Sequence, residues 1–264
     1  MDDVEGARTF GVAGATYDSF MGRYSRPLAA QFADAAGVRG GHTAVDVGCG
    51  PGALTAVLVD RLGAEAVAAC DPAPGFVQEC AARHPGVVVG LGRAESLPFE
   101  TGRFDHALAQ LVLHFVSDPE LAARELMRVV RSGGTVSACV WDFDEGMEML
   151  RSFWDATLDL DPDAPDEART LRFGRQGEIV QLFERVGLVD VAESELRVES
   201  QYVDFDELWN GFLAGVGPAG AYCTSLADDD RQRLHRALFE RLGRPGGSFT
   251  LGAVARCAVA RNPG

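Results

Sequence analysis

From residue 43 onward the apolar residues fall in short unbroken runs, separated by stretches in which they recur every three or four positions. That alternation marks a parallel sheet whose buried strands are joined by amphipathic helices. It predicts strands over residues 43–47, 66–70, 87–89, 104–110 and 135–141, the third of them buried, with helices over 53–62, 74–83 and 119–130. Asp118-Pro119 marks the start of the last helix, an N-cap followed by proline at the first helical position, and Ser132-Gly133-Gly134 marks its stop. Past Trp141 the regular alternation breaks. A helix is expected over 145–160, a loop at 161–166, a helix over 177–186 and strands over 189–198 and 249–260. Between those two strands, residues 201–243 read as a polar and aromatic insertion of two helices linked by the glycine-rich stretch 215–220.

The 264 residues fit one large domain, or one domain plus a small appendage. All 24 basic residues are arginine, so neither a Schiff-base lysine nor a phosphate-gripping Walker lysine exists. The net charge of −15, with no basic cluster to offset it, argues against nucleic acid and anionic membrane surfaces as partners. Six scattered cysteines, none in a CxxC pair, read as reduced and mostly buried thiols of a cytoplasmic protein. The acidic first residues lack an apolar core and the near-apolar run 107–116 is too short to span a bilayer, so neither export nor insertion is expected.

The first strand ends in Val45-Asp46-Val47-Gly48-Cys49-Gly50-Pro51-Gly52 and a helix follows at once. Glycines at 48, 50 and 52 let the chain turn sharply and let a nucleotide-like ligand approach the main chain. Gly48-x-Gly50-x-x-Ala53, with Asp71 downstream, also satisfies a dinucleotide fingerprint. Asp46 discriminates: a carboxylate there opposes a pyrophosphate and suits a cofactor carrying an ammonium and a sulfonium. Asp71, at the carboxyl end of the second strand, can accept hydrogen bonds from ribose hydroxyls of either ligand.

At these residues the sequence resembles the class I S-adenosylmethionine-dependent methyltransferases, especially the small-molecule group that includes ubiquinone/menaquinone C-methyltransferases. The likeness is strongest from Ala44 to Val140 and continues through Gly92-Arg93-Ala94-Glu95-Ser96-Leu97-Pro98-Phe99, Gly102-Arg103-Phe104-Asp105 and Glu125 to Thr135. It implies an α/β, Rossmann-like fold with a seven-stranded, mostly parallel sheet, an antiparallel last strand and a helical insertion or lid. It further implies S-adenosyl-L-methionine lying across strands one, two and four, S-adenosyl-L-homocysteine as product, and no metal. The implied cofactor contacts are Asp46, Gly48, Cys49, Gly50 and Gly52 in the loop, Asp71 and Pro72 after strand two, and Gln110 ending strand four. Arg93 stands where the family usually has an aspartate for the adenine amino group, so Ala94 or Glu95 would supply that contact. The family's frequent His-His pair is here His114-Phe115. An N-terminal segment like Tyr17 to Pro27 serves relatives as a lid, with Tyr17 or Tyr24 closing over the methionine moiety and Arg23 pairing with its carboxylate; an ordinary helix patching the sheet is the other reading.

Methyl transfer from a sulfonium relies on alignment and desolvation, sometimes with a base. His114, just past strand four, is the first candidate base, and Asp142, just past strand five, the second. His42, His84, His106 and His235 read as structural or solvated. Tyr24, Trp141, Phe143, Met147, Trp209 and Tyr222 belong to aromatic- and methionine-rich segments that could wall an apolar acceptor pocket, which points to a small hydrophobic or aromatic acceptor. No Asn/Asp-Pro-Pro-aromatic turn follows strand four, which disfavours nucleic-acid bases, and no His/Cys/carboxylate cluster has metal-ligand spacing. The chain thus divides into an N-terminal helical lid (1–40), a cofactor-binding core (41–142) and a C-terminal part (143–264) that completes the sheet and carries the insertion at about 200–245. The expected activity is methylation of a carbon, oxygen or nitrogen of a small metabolite, with secondary metabolism suggested by the composition. An NAD-dependent oxidoreductase and a non-catalytic cofactor-binding scaffold are the alternatives.

Overall fold

The computed structural model describes residues 20–264. Helix α1 (Gly22–Ala35) precedes β1 (Ala44–Val47), α2 (Ala53–Leu62), β2 (Val67–Asp71), α3 (Pro74–Arg83), β3 (Val88–Leu91), β4 (Phe104–Gln110), α4 (Pro119–Val129) and β5 (Val130–Trp141). Then come α5 (Glu148–Leu158), the short α6 (Glu167–Thr170), α7 (Glu178–Arg185), β6 (Val189–Tyr202), α8 (Phe205–Leu213), α9 (Gly217–Ser225), α10 (Asp228–Arg241) and β7 (Phe249–Arg261). The strands form one seven-stranded sheet ordered β3-β2-β1-β4-β5-β7-β6, with β7 antiparallel to both its neighbours. The chain reverses its direction of travel across the sheet between β1 and β4, and a crevice opens there at the carboxyl ends of the strands.

The central strands β1 and β2 are buried at every position, as unbroken apolar runs require when helices cover both faces. Helix α4 starts where the sequence sets it: the Asp118 side chain accepts a hydrogen bond from the backbone N–H of Leu121, and Pro119 fills the first turn. One face, Ala122, Ala123, Leu126 and Val129, is buried against the sheet.

Three expectations are corrected, and the loop expected at 161–166 is followed by a short helix. The third strand is not buried: β3 is an edge strand paired only with β2, and Val88 and Leu91 are 56% and 60% exposed. The 215–220 stretch is not a plain link, because α9 begins within it at Gly217, so the insertion holds three helices. The loop after α5 closes with α6, capped by the side chain of Asp166 on the Ala168 N–H. The glycines at 133 and 134 lie inside β5, where a register shift against β4 absorbs them.

The described part of the N-terminal segment is a packed helix. Tyr24, Leu28, Ala29, Phe32 and Ala33 of α1 are fully buried, and the helix lies against α2 and β6, with Gln31 donating to the carbonyl of Arg197. Tyr17 lies outside the described residues.

Candidate active site

The loop between β1 and α2 builds the floor of the crevice. Gly48 is held at φ +73°, with its N–H on the Cys70 carbonyl, and a Cβ there would lie 2.4 Å from Val112 Cγ2. Only glycine fits a position that is both left-handed and this close to a neighbour. Gly50, at φ +51°, has nothing within 4 Å of where a Cβ would be: its open side faces the cleft that it lines. Its N–H donates to Asp71 Oδ2 at 3.0 Å, and the N–H of Ala73 donates to Asp71 Oδ1 at 2.8 Å. Asp71 therefore ties the glycine loop to the carboxyl end of β2.

Asp46, Gly48, Cys49, Gly50 and Gln110 all line this cleft, together with Ser25 from α1. The Asp46 carboxyl is 1% exposed and accepts the Thr55 hydroxyl at 2.6 Å. Burial pushes its pKa up to about 7, against the pull of the Thr55 hydrogen bond, and the neighbouring Asp71 adds to the rise. Burial likewise raises Asp71, countered by the two N–H donors it accepts. Gln110 donates to the Ser25 carbonyl at 3.0 Å, while its Oε1 and the Ser25 Oγ are buried without a hydrogen-bond partner among the described residues. A cleft with a buried carboxyl, two unmatched polar atoms and open main chain at Gly50 fits the charged amino-acid end of S-adenosylmethionine.

A second cavity adjoins the first, and Leu111 lines both. Leu111 holds φ +61°, a left-handed conformation costly for a leucine, at the sharp exit from β4. Trp141, Phe143 and His114 line this cavity, with Phe20, Met21, Leu150, Glu167 and the 216–219 stretch of the insertion. His114 sits in the turn after β4, 7% exposed, edge-on to Phe143, and its Nδ1 has no hydrogen-bond partner among the described residues. Burial pushes its pKa down to about 3, so the ring is neutral. The Trp141 indole N–H is buried and unpartnered as well.

Several expected site residues stand elsewhere. Asp142 is not on either cavity: its carboxylate is held by Arg256 at 2.7 and 3.1 Å and by the N–H groups of Asp144 and Glu145, which keep its pKa low. A carboxylate so engaged is no base. Arg23 is spent on Glu207 at 2.6 Å and stacks on the Tyr202 ring, so it does not reach the cleft. Tyr24 is core, its hydroxyl 3.1 Å from that of Tyr202. Met147 is fully buried beside β7, Trp209 packs on His235 and Phe212, and the Tyr222 hydroxyl donates to Asp161. None of these four lines the second cavity. Arg93 and Pro72 are exposed, Ala94 is buried, and Glu95 accepts the Ser117 and Asp118 N–H groups, a local capping role.

Ser25, Leu111, Met21 and Glu167 were not among the sequence candidates. The loop context of Glu167, Asp161-Pro162-Asp163-Ala164-Pro165-Asp166, carries no local sign that the next carboxylate is buried.

Comparison with known proteins places this geometry. Residues 45–138 match the model of the Methyltransferase domain family. A malonyl-[acyl-carrier protein] O-methyltransferase of Herminiimonas arsenicoxydans is 27% identical over 209 residues, spanning 79% of this chain and 75% of that protein. The chain belongs to the class I S-adenosylmethionine-dependent methyltransferases. An uncharacterized protein of Mycobacterium bovis is 31% identical over 209 residues, 76% of this chain and 74% of its own length. An S-adenosylmethionine-dependent methyltransferase structure from Thermotoga maritima aligns with a TM-score of 0.56 at 17% identity, covering 96% of this chain and 99% of that one. This methyltransferase has the seven-stranded, mostly parallel sheet and the antiparallel last strand, β7, that the resemblance implied. Among the described residues no cluster of His, Cys, Asp or Glu could hold a metal ion, and no helix is long and apolar enough to cross a membrane.

Proposed function

We propose that this methyltransferase transfers a methyl group to a small, uncharged and largely apolar acceptor seated in the cavity beyond Leu111. The observation that carries the reading is the shared wall: Leu111 borders both the polar cleft over the glycine loop and the apolar cavity of Phe20, Met21, Phe143 and Leu150. When bound, S-adenosylmethionine supplies a methyl on a sulfonium whose departure as a neutral thioether needs no acid. Asp46 would hold the cationic amino-acid end, Ser25 and Gln110 would meet its polar atoms, and Gly50 would let it approach the main chain.

The cavity supports an uncharged acceptor. Among the described residues its ionisable lining consists of His114, which is neutral, and Glu167, with no arginine on the wall. A carboxylate acceptor, such as the name of the Herminiimonas relative implies for that protein, would face Glu167 with no cation to offset it. The net charge of −15 likewise supports a partner other than nucleic acid. All six cysteines are unpaired and buried, which fits a reducing, cytoplasmic setting, and the lysine-free composition fits a bacterial tailoring enzyme of secondary metabolism.

Two measurements test the reading. Calorimetric titration should give S-adenosylhomocysteine binding and no NADH binding. Labelled S-adenosylmethionine should then pass its methyl to uncharged aromatic acceptors in preference to carboxylates and nucleic acids. NADH binding in preference to S-adenosylhomocysteine, or transfer chiefly to carboxylates, would overturn it.

A further inference from the structure

Glu167 is the feature of the acceptor cavity that its apolar walls do not explain. The residue is 4% exposed and lines the cavity, and its Oε2 accepts the Trp154 indole N–H at 2.7 Å. The guanidinium of Arg151, close enough to influence it, is spent on Asp166 at 3.1 Å and Asp155 at 2.7 Å. A carboxyl buried beside an apolar cavity without an ion-pair partner among the described residues costs stability, and such groups concentrate where a proton is handled. On the same cavity wall stand Trp141, whose buried indole N–H can only donate, and His114, whose Nδ1 is unmatched.

These three groups together discriminate between a hydroxyl oxygen and a nitrogen as the attacking atom. A hydroxyl oxygen has a proton to give and two lone pairs: one attacks, and the other accepts from the Trp141 N–H. A neutral amine has one lone pair, and an ammonium has none, so neither satisfies an N–H donor while attacking. Resting on the methyl-transfer reading above, we propose that Glu167 receives the acceptor's proton and that the attacking atom is the oxygen of an ionisable hydroxyl on an apolar ring. In that step the O–H bond breaks and its proton passes to the Glu167 carboxylate. One oxygen lone pair forms the O–CH3 bond, and the S–CH3 bond breaks with its electron pair remaining on sulfur, leaving a neutral thioether.

Burial holds the Glu167 pKa at about 7, with Asp166 raising it and Arg151 and the Trp154 hydrogen bond lowering it, so the group can take and release a proton near neutrality. His114 stays neutral well below that range.

The test is calorimetric binding of 2-naphthol and of its methyl ether, 2-methoxynaphthalene, to the full chain and to Glu167→Gln, with S-adenosylhomocysteine present. The glutamine keeps an oxygen for the Trp154 N–H, and S-adenosylhomocysteine affinity reports whether the variant is folded. The native protein should bind the naphthol about tenfold tighter than the ether at about pH 8, and the preference should shrink to about threefold or less at about pH 5.5, where Glu167 is protonated. E167Q should show the small preference at both pH values. Equal preference in the two proteins, a preference independent of pH, or no binding of either probe at about 1 mM overturns the proposal. If S-adenosylhomocysteine binding is intact while the naphthol preference is absent, the fault lies with the role given to Glu167. Loss of S-adenosylhomocysteine binding by the native protein would instead remove the methyl-transfer reading and this inference with it.

Discussion

Asp46 lies 1% exposed beside the glycine loop with a single hydroxyl donor, Thr55, to stabilise its charge, and its proton is therefore held to about pH 7. A cationic ligand reverses that balance by favouring the ionised form, so binding must expel the proton when the pH is below 7. The apparent affinity for S-adenosylmethionine should consequently fall by up to about tenfold per pH unit between pH 7 and 5.5. Calorimetry across that range, repeated with Asp46→Asn, checks this: the variant should bind about 10- to 100-fold more weakly at pH 7.5 and show a flat profile. A native profile as flat as the variant's would show that Asp46 does not hold the cation. The folding consequence has the opposite sense to that of a paired carboxylate. A raised folded pKa adds stability below the unfolded value, near 3.9, and that contribution is lost as the pH rises through 7. Gly48 makes a geometric prediction at the same loop. Gly48→Ala would combine a left-handed φ with a 2.4 Å approach to Val112 and should cost about 2–3 kcal/mol in urea unfolding. Adding Val112→Ala relieves the contact but leaves the φ strain, so only part of the loss should return.

At the scale of elements, the stretches that carry their own local signal are the ones legible in the sequence. Helix α4 has its cap, its first-turn proline and its buried face all encoded within a dozen residues. Asp118→Ala should cost about 1 kcal/mol, seen as a fall in Tm of about 2–4 °C in a thermal melt, with cofactor affinity unchanged. The glycine loop, Asp46 and Asp71 were legible for the same reason: strand, turn and helix follow one another without a break. The acceptor cavity was only half legible. Trp141 and Phe143 leave the end of β5 and reach the cavity wall, whereas Met147, Trp209 and Tyr222, equally apolar or aromatic in sequence, pack into the core or against polar neighbours. Composition marks such residues for burial but cannot say whether the space beside them is filled. Glu167 was missed because its burial comes from α5 and its Trp154, a tertiary arrangement that nothing in the surrounding loop announces. The exposed β3 shows the converse error, since a run of valines reads as a central strand when only its position at the sheet edge makes it otherwise.

Across the whole molecule, the parallel strands β1 to β5 and the antiparallel β6–β7 pair that completes the sheet are linked by Arg256. Its guanidinium reaches from β7 to Asp142 at the end of β5 and to Glu195 of β6 at 2.6 Å. Asp142 is nearly buried, so its charge depends on that arginine and on two backbone N–H groups. Arg256→Met keeps most of the stem's volume but strands the carboxylate, and it should cost about 3 kcal/mol in urea unfolding at pH 7. Asp142 has a depressed folded pKa, so its contribution is present above the unfolded value near 3.9 and is lost as the pH falls through the folded one. The native protein should therefore lose this part of its stability only below about pH 4, whereas R256M should already lack it at neutral pH and gain little from alkalinity. Adding Asp142→Asn to R256M removes the stranded charge and should recover about half of the loss. Because Trp141 and Phe143 flank Asp142 and wall the acceptor cavity, R256M should also weaken naphthol binding while leaving S-adenosylhomocysteine affinity, set across the sheet at β1 and β2, unaltered. Equal loss of both affinities would mean that the two halves of the site are not held independently.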